Sequence, residues 1–96
     1  MRWIAIFINK LGTDDLRTQH LQAHLDYFKA QTKITLAGST TPHGADDSNG
    51  GVWVIKGVSY EEAVKICEDD PFFTAGLRES IELFEYGVAP QFEDLV

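Results

Sequence analysis

The stretch Arg2-Trp3-Ile4-Ala5-Ile6-Phe7-Ile8 decides how the rest of the chain is read. It is a nearly unbroken apolar run rich in isoleucine, and its short length favours a β-strand that is buried on both faces. Only six apolar residues, Trp3 to Ile8, stand before Asn9-Lys10, fewer than the roughly 7–15 of a secretory signal core. No run approaches the roughly 18 residues that a membrane helix needs.

Outward from this strand, Leu11-Gly12-Thr13 breaks the pattern and Asp14 to Gln31 reads as a helix. Thr13 or Asp14 can cap it, and Asp14, Asp15, Lys29 and Lys33 match its dipole. Ile34-Thr35-Leu36-Ala37 alternates as a strand and is expected to stop at Gly38. The polar stretch from Ser39 to Gly50, with Pro42, Gly44 and Asn49, reads as a long mobile connection able to act as a lid. Val52-Trp53-Val54-Ile55 is a second continuous apolar strand. Ser59-Tyr60-Glu61-Glu62 fits a capping box, and Tyr60, Ala63, Val64 and Cys67 then form a buried helical stripe. Pro71 disfavours helix at Asp70, so the second helix ends there. Phe72 to Gly76 is a turn or a short helical piece, Arg78 to Tyr86 is a last strand, and a tail runs from about residue 88. The order strand, helix, strand, strand, helix, strand is that of an α+β, ferredoxin-like βαββαβ sandwich with both helices on one sheet face. The other face carries the second side of two apolar strands. Pairing two such sheets as a dimeric α+β barrel covers it, so a homodimer is expected, with further assembly open.

Composition agrees. Ninety-six residues make one small domain, 1–96, whose own core is thin. The net charge of −7 is uneven: five basic residues balance five acidic ones up to residue 48, and three face ten beyond it. An acidic domain without a basic run excludes nucleic acid and anionic membrane as partners, since both require Lys or Arg against phosphates. The single cysteine, Cys67, excludes an intramolecular disulfide and a multi-cysteine zinc site. A cytoplasmic protein is the expectation.

The first helix carries the chemistry. Arg17, Leu21, His24 and Phe28 fall within about 60° of one another on the helical wheel, with Leu25 beside them, so His24 faces inward. A buried imidazole needs partners for its ring nitrogens, and Asp70, fixed at the forced helix end, is a candidate. A carboxylate that orients one nitrogen leaves the other free to take or give a proton. Arg17 could bind an anionic group. The competing reading is a satisfied core histidine beside a capping aspartate. His20 and His24 are four apart, yet no further ligands accompany them, and no metal site is assigned. His43 is expected in solvent. Cys67, Trp53 and Phe7 are read as core or interface, and no phosphate-cradling loop is present.

Arg17-x-x-His20-x-x-x-His24-Leu25-x-x-Phe28, Leu36-Ala37-Gly38, Ser59-x-Glu61-Glu62-Ala63 and Asp70-Pro71-Phe72-x-x-Ala75-Gly76-Leu77, in that order, resemble the YCII-related (YciI-like) family over about residues 6–86. The resemblance implies a dimeric α+β barrel and a His-Asp active-site pair, which here is His24 and Asp70. It departs at Gly38, which is followed by Ser39 where many members have Gly-Pro. A characterised relative dehydrochlorinates a chlorinated hydroxyquinol. The expectation is a small lyase- or hydrolase-like enzyme carrying out elimination, proton transfer or hydrolysis on a small cyclic or aromatic metabolite. His24 and Asp70 would be catalytic, Arg17, Gly38 and Phe72 would contact substrate, and no cofactor is required. The alternative is a non-catalytic small-molecule-binding or accessory dimeric module.

Overall fold

The apolar N-terminal run becomes β1 (Arg2–Asn9), a central strand of a four-stranded antiparallel sheet. It is followed by α1 (Asp14–Ala30), β2 (Ile34–Thr40), β3 (Gly50–Lys56), α2 (Tyr60–Glu68), α3 (Pro71–Thr74) and β4 (Arg78–Glu85), with a 3-10 turn at Pro90–Phe92. The structure is a computed structural model and describes residues 1–96. The sheet order β2-β3-β1-β4 is the ferredoxin-like arrangement read from the element order. No helix is long and apolar enough to cross a membrane.

Burial along β1 alternates, so within one chain the strand expected to be buried on both faces is covered on one. Trp3, Ala5 and Phe7 are buried and pack with Trp53 and Ile55 of β3 and with Ala63 and Cys67 of α2. Their neighbours Ile4 and Ile6 are only half-buried, and Ile8 is exposed. Strand pairing puts Leu36, Val52, Val54 and Phe84 on that same second face, where Leu36 and Phe84 are exposed. The chain covers one face of its sheet; on the second, Val54 is buried and Arg2 donates to the Glu93 and Val96 carbonyls of the tail at 2.8 Å, while Ile8, Leu36 and Phe84 stay exposed.

Two register shifts matter. Between Ile34 and Leu36 of β2, one extra residue turns Leu36 to the open face and Ala37 and Ser39 towards the helices. Near the end of β1, Ile8 pairs with Ser80 but Asn9 pairs with Arg78, so Glu79 is the extra residue. Strict alternation from Ile81 would put Glu79 inward and Arg78 outward. The shift reverses this and aims Arg78 at the helical side.

Several local readings change. β2 continues through Gly38 to Thr40 because Ser39 and Thr40 still pair with Gly51 and Gly50. The connection after β2 is tied down by Asn49 N–H to the Thr40 carbonyl at 3.0 Å, Thr40 Oγ1 to Asn49 Oδ1 at 2.7 Å, and Asn9 N–H to the Asn49 carbonyl at 2.8 Å. Gly50 is obligatory there, since a Cβ would meet the Phe7 carbonyl oxygen at 1.8 Å. Thr13 takes the N-cap position of α1, its carbonyl accepting the Arg17 N–H, but its side chain makes no cap bond because its hydroxyl donates to the Lys10 carbonyl. The Ser59–Glu62 capping box forms as read. Tyr60, expected in the buried stripe, is half-exposed at the first turn of α2, edge-on to Trp3 with centroids 5.5 Å apart.

Alkaline stability follows from the core. Burial, helped by the nearby Asp70 charge, pushes the Cys67 thiol up to about 12, and burial with Asp69 and Asp70 does the same for Tyr27. Tyr27 donates its hydroxyl to the Ile66 carbonyl at 2.6 Å. Both groups ionise earlier in the unfolded chain, so above pH 9 the unfolded state holds fewer protons and stability falls with rising pH. The Cys67 contribution is about 1.4 kcal/mol per pH unit, over the window from its ordinary 9.0 to about 12. Urea unfolding at a series of alkaline pH values should show this slope, and Cys67→Ala should flatten it. An unchanged slope in that variant would rule out the thiol as its source.

Candidate active site

The chain break after α2 builds the site. Pro71 excludes helical geometry at the preceding residue, and Asp70 is extended, at φ −61° and ψ 131°. Asp70 thereby becomes the N-cap of α3, its Oδ1 accepting the Phe72 N–H at 3.1 Å. The same oxygen lies 2.7 Å from His24 Nδ1, and Oδ2 accepts from Arg78 Nη2 at 3.2 Å. Asp70 is fully buried, and His24 and Arg78 are 8% and 9% exposed. A carboxylate so placed is satisfied on both oxygens.

His24 is the one buried residue of α1. Its ring lies flat on Phe72, with centroids 3.9 Å apart and 4° between planes, and meets the edge of Phe28 at 5.1 Å. Facing the Asp70 carboxylate, Nδ1 carries the proton and donates it, which in the neutral imidazole leaves Nε2 as the bare nitrogen. Nε2 has no hydrogen-bond partner in the chain, yet the one sealed and unpartnered side-chain polar atom of the molecule is Arg78 Nε. Nε2 is therefore open to the adjoining cavity, which His24 lines.

That cavity measures about 200 Å³. Arg17, Leu21 and Leu25 of the α1 stripe form one wall and stay half-buried, and Phe28 both lines the cavity and packs against the core. Trp53 and Phe72 add flat apolar surface; Asn9, Ser39 and Arg78 add polar groups; Gly38, Gly50 and Gly51 offer backbone. A Cβ on Gly51 would stand 2.7 Å from the Gly38 carbonyl oxygen, so this corner admits no side chain. Arg17 makes no salt bridge, so its guanidinium is free to meet a ligand anion.

All five residues singled out from sequence converge here. His24, Arg17, Gly38 and Phe72 line the cavity, and Asp70 stands behind His24. Sequence reasoning missed Arg78 and Asn9. Arg78 Nη1 donates to Asn9 Oδ1 at 2.9 Å, and its guanidinium lies 4.3 Å from the Phe7 ring centroid. Burial lowers the Arg78 pKa and the Asp70 charge opposes that shift. The signal that was available is position: Arg78 is one of only three basic residues beyond residue 48, and it directly follows the Ala75-Gly76-Leu77 element. Trp53 belongs both to the core and to the cavity wall. Cys67 is buried, His43 is exposed, and no group of three or more His, Cys, Asp or Glu side chains is placed to share a metal ion.

Fold and site together define a ferredoxin-like domain with a histidine–aspartate pair behind a small cavity. The chain belongs to the YCII-related family, whose domain matches residues 1–86. No curated protein matches it. Among solved structures it is similar to 5-chloro-2-hydroxyhydroquinone dehydrochlorinase (TftG) from Burkholderia phenoliruptrix AC1100, in complex with 2,5-dihydroxybenzoquinone. That likeness has 25% identity and a TM-score of 0.83, and it covers 95% of this chain and 98% of that one. SnoaB from Streptomyces nogalater, a cofactor-independent oxygenase, is similar at 14% identity and a TM-score of 0.57, over 93% of this chain and 94% of that one. PA3566 from Pseudomonas aeruginosa follows at 14% identity and a TM-score of 0.51, over 92% and 93%. The latter two likenesses concern the fold.

Proposed function

We propose that this chain is a small enzyme that uses His24 as general base and acid on a single-ring cyclic or aromatic metabolite, in an elimination or a related proton transfer. The observation that carries this reading is a buried imidazole locked through Nδ1 to Asp70 at 2.7 Å while Nε2 opens into a cavity. In an elimination, Nε2 takes a proton from the substrate. The electron pair of that bond forms the new π bond, and the leaving group departs with its own bonding pair. The resulting imidazolium is stabilised by Asp70, and Arg17 faces the negative charge that develops on a substrate oxygen. The cavity of about 200 Å³ suits one ring between Phe28, Trp53 and Phe72. The likeness to TftG supports this class of chemistry. The test is turnover of a panel of halogenated and hydroxylated single-ring compounds, headed by 5-chloro-2-hydroxyhydroquinone, by the wild-type chain and by His24→Ala. Conversion that survives His24→Ala would sink the proposal. Binding of 2,5-dihydroxybenzoquinone with no turnover of any panel member would instead favour a ligand-binding module.

We further propose that two chains pair through the open sheet face, where Ile4, Ile6, Ile8, Leu36, Val52 and Phe84 gather. An apolar face of this extent is costly in water. Ile6→Asp, central on that face, should convert a dimer to a monomer in light scattering after gel filtration. A wild-type chain that runs as a monomer would end the proposal.

A further inference from the structure

Arg78 is the charged side chain of the site for which the chemistry above has no use. Its guanidinium is pinned along its edge by Asp70 Oδ2 at 3.2 Å and by Asn9 Oδ1 at 2.9 Å. Its faces lie against Phe7, at 4.3 Å, and Phe72, at 5.2 Å. Phe72 is also the plate on which His24 stacks. One aromatic ring thus registers the imidazole and the guanidinium against a single carboxylate.

Stability does not account for this arrangement. Taking Arg and Asp out of water consumes most of what their attraction returns, and apolar residues of similar volume commonly serve as well. Arg78 Nε is sealed without a partner, a further cost to the fold. The extra residue in β4 is also needed to turn Arg78 inward. Three costs converge on one side chain whose contacts end on the partner of His24.

We propose that Arg78 is the positioning residue of this site, holding Asp70 so that Oδ1 stays on the His24 Nδ1–H and Nε2 stays aimed into the cavity. The proposal rests on His24 being the base. With Arg78 gone, Oδ2 loses its partner, the carboxylate can turn about its own bond, and both oxygens compete for the His24 and Phe72 N–H groups. Lysine would restore the charge but not the planar fork that spans Asp70 and Asn9.

The test reads the His24 ring directly, by nitrogen-15 spectra of the imidazoles in the wild type, Arg78→Lys, Arg78→Ala and Asn9→Ala. His24→Gln assigns the signal among the three histidines. All should keep the proton on Nδ1, since either carboxylate oxygen accepts it, but the Nδ1–H signal should be sharp in the wild type and broadened, with about tenfold faster exchange with water, in the Arg78 and Asn9 variants. On whichever panel compound the wild type converts, kcat should fall about tenfold in Arg78→Lys and about 100-fold in Arg78→Ala, with KM within about twofold. Guanidinium ion at roughly tens of millimolar should recover about tenfold in Arg78→Ala and nothing in His24→Ala. If Arg78→Ala does not fold, Arg78→Lys and Asn9→Ala carry the test. An Nδ1–H signal and exchange rate unchanged in both of these, or a change confined to KM, would overturn the positioning role. If Nδ1–H exchange quickens in the variants but His24→Ala leaves turnover intact, the base is wrong and the positioning role stands.

Discussion

Asp70→Ala should destabilise the chain by about 3–5 kcal/mol, the usual cost of removing one partner from a buried ion pair. The Arg78 side chain is 5% exposed, and without Asp70 its charge has no counter-ion and only its edge on the cavity as a way to water. The same change uncaps α3, whose Phe72 N–H is satisfied by Asp70 Oδ1, and leaves His24 Nδ1 without an acceptor. Against the roughly 5–15 kcal/mol that holds a domain together, this is a large fraction. The double variant Asp70→Leu with Arg78→Met removes both charges and fills the volume, so it should be clearly more stable than Asp70→Ala. Urea unfolding followed by circular dichroism gives both values. A loss below about 1 kcal/mol in Asp70→Ala would mean that Arg78 finds another partner or water. A double variant no better than the single one would mean that packing, and not charge, carries the site.

The legibility of this site from sequence had a physical limit that can be located residue by residue. His24 could be read because a helix has a fixed 3.6-residue period, and one inward position implies the others. Asp70 could be read because Pro71 constrains its backbone regardless of tertiary context. The element order sufficed for the ferredoxin-like topology because short connections leave few ways to pair four strands. Arg78 could not be read in the same way. Period-two alternation from Ile81 and Leu83 assigns it to the open face, and only the extra residue at Glu79 reverses that. Leu36 is the same case in β2. Bulges obey pairing geometry between strands distant in sequence, so local pattern carries no trace of them. The half-buried state of the α1 stripe was likewise invisible. Periodicity says which side a helix turns inward, but not whether the space beneath is filled.

Charge placement bears on what the cavity admits. The acidic excess of the second half is carried almost wholly by exposed side chains, with Asp70 the exception. The cavity wall, by contrast, has two arginines and no carboxylate. A neutral or singly anionic ring is therefore favoured inside, while the outer surface repels highly anionic molecules.

His24→Ala should lower kcat by about 10²–10⁴-fold, the usual range for a lost general base, with a much smaller effect on KM. The stability cost should be modest by comparison, because Arg78 still neutralises Asp70 and the stacking surface lost is one ring against Phe72. Asp70→Asn is the sharper experiment because it keeps volume and removes charge. Arg78 Nη2 has only donors to offer, so the introduced amide is expected to turn its oxygen towards Arg78 and its NH₂ towards His24, which also takes the acceptor from the Phe72 N–H. That places two donors face to face unless His24 moves its proton to Nε2. The nitrogen facing the cavity would then be protonated and unable to act as a base. The fold should persist, cavity binding of 2,5-dihydroxybenzoquinone should be nearly unchanged, and turnover should fall about as far as in His24→Ala. The double variant His24→Ala with Asp70→Asn should be little worse than either single one, since two residues that act as a unit are not additive. Losses that multiply would mean that His24 and Asp70 act separately, and the mechanism built on their 2.7 Å contact would then have to be abandoned.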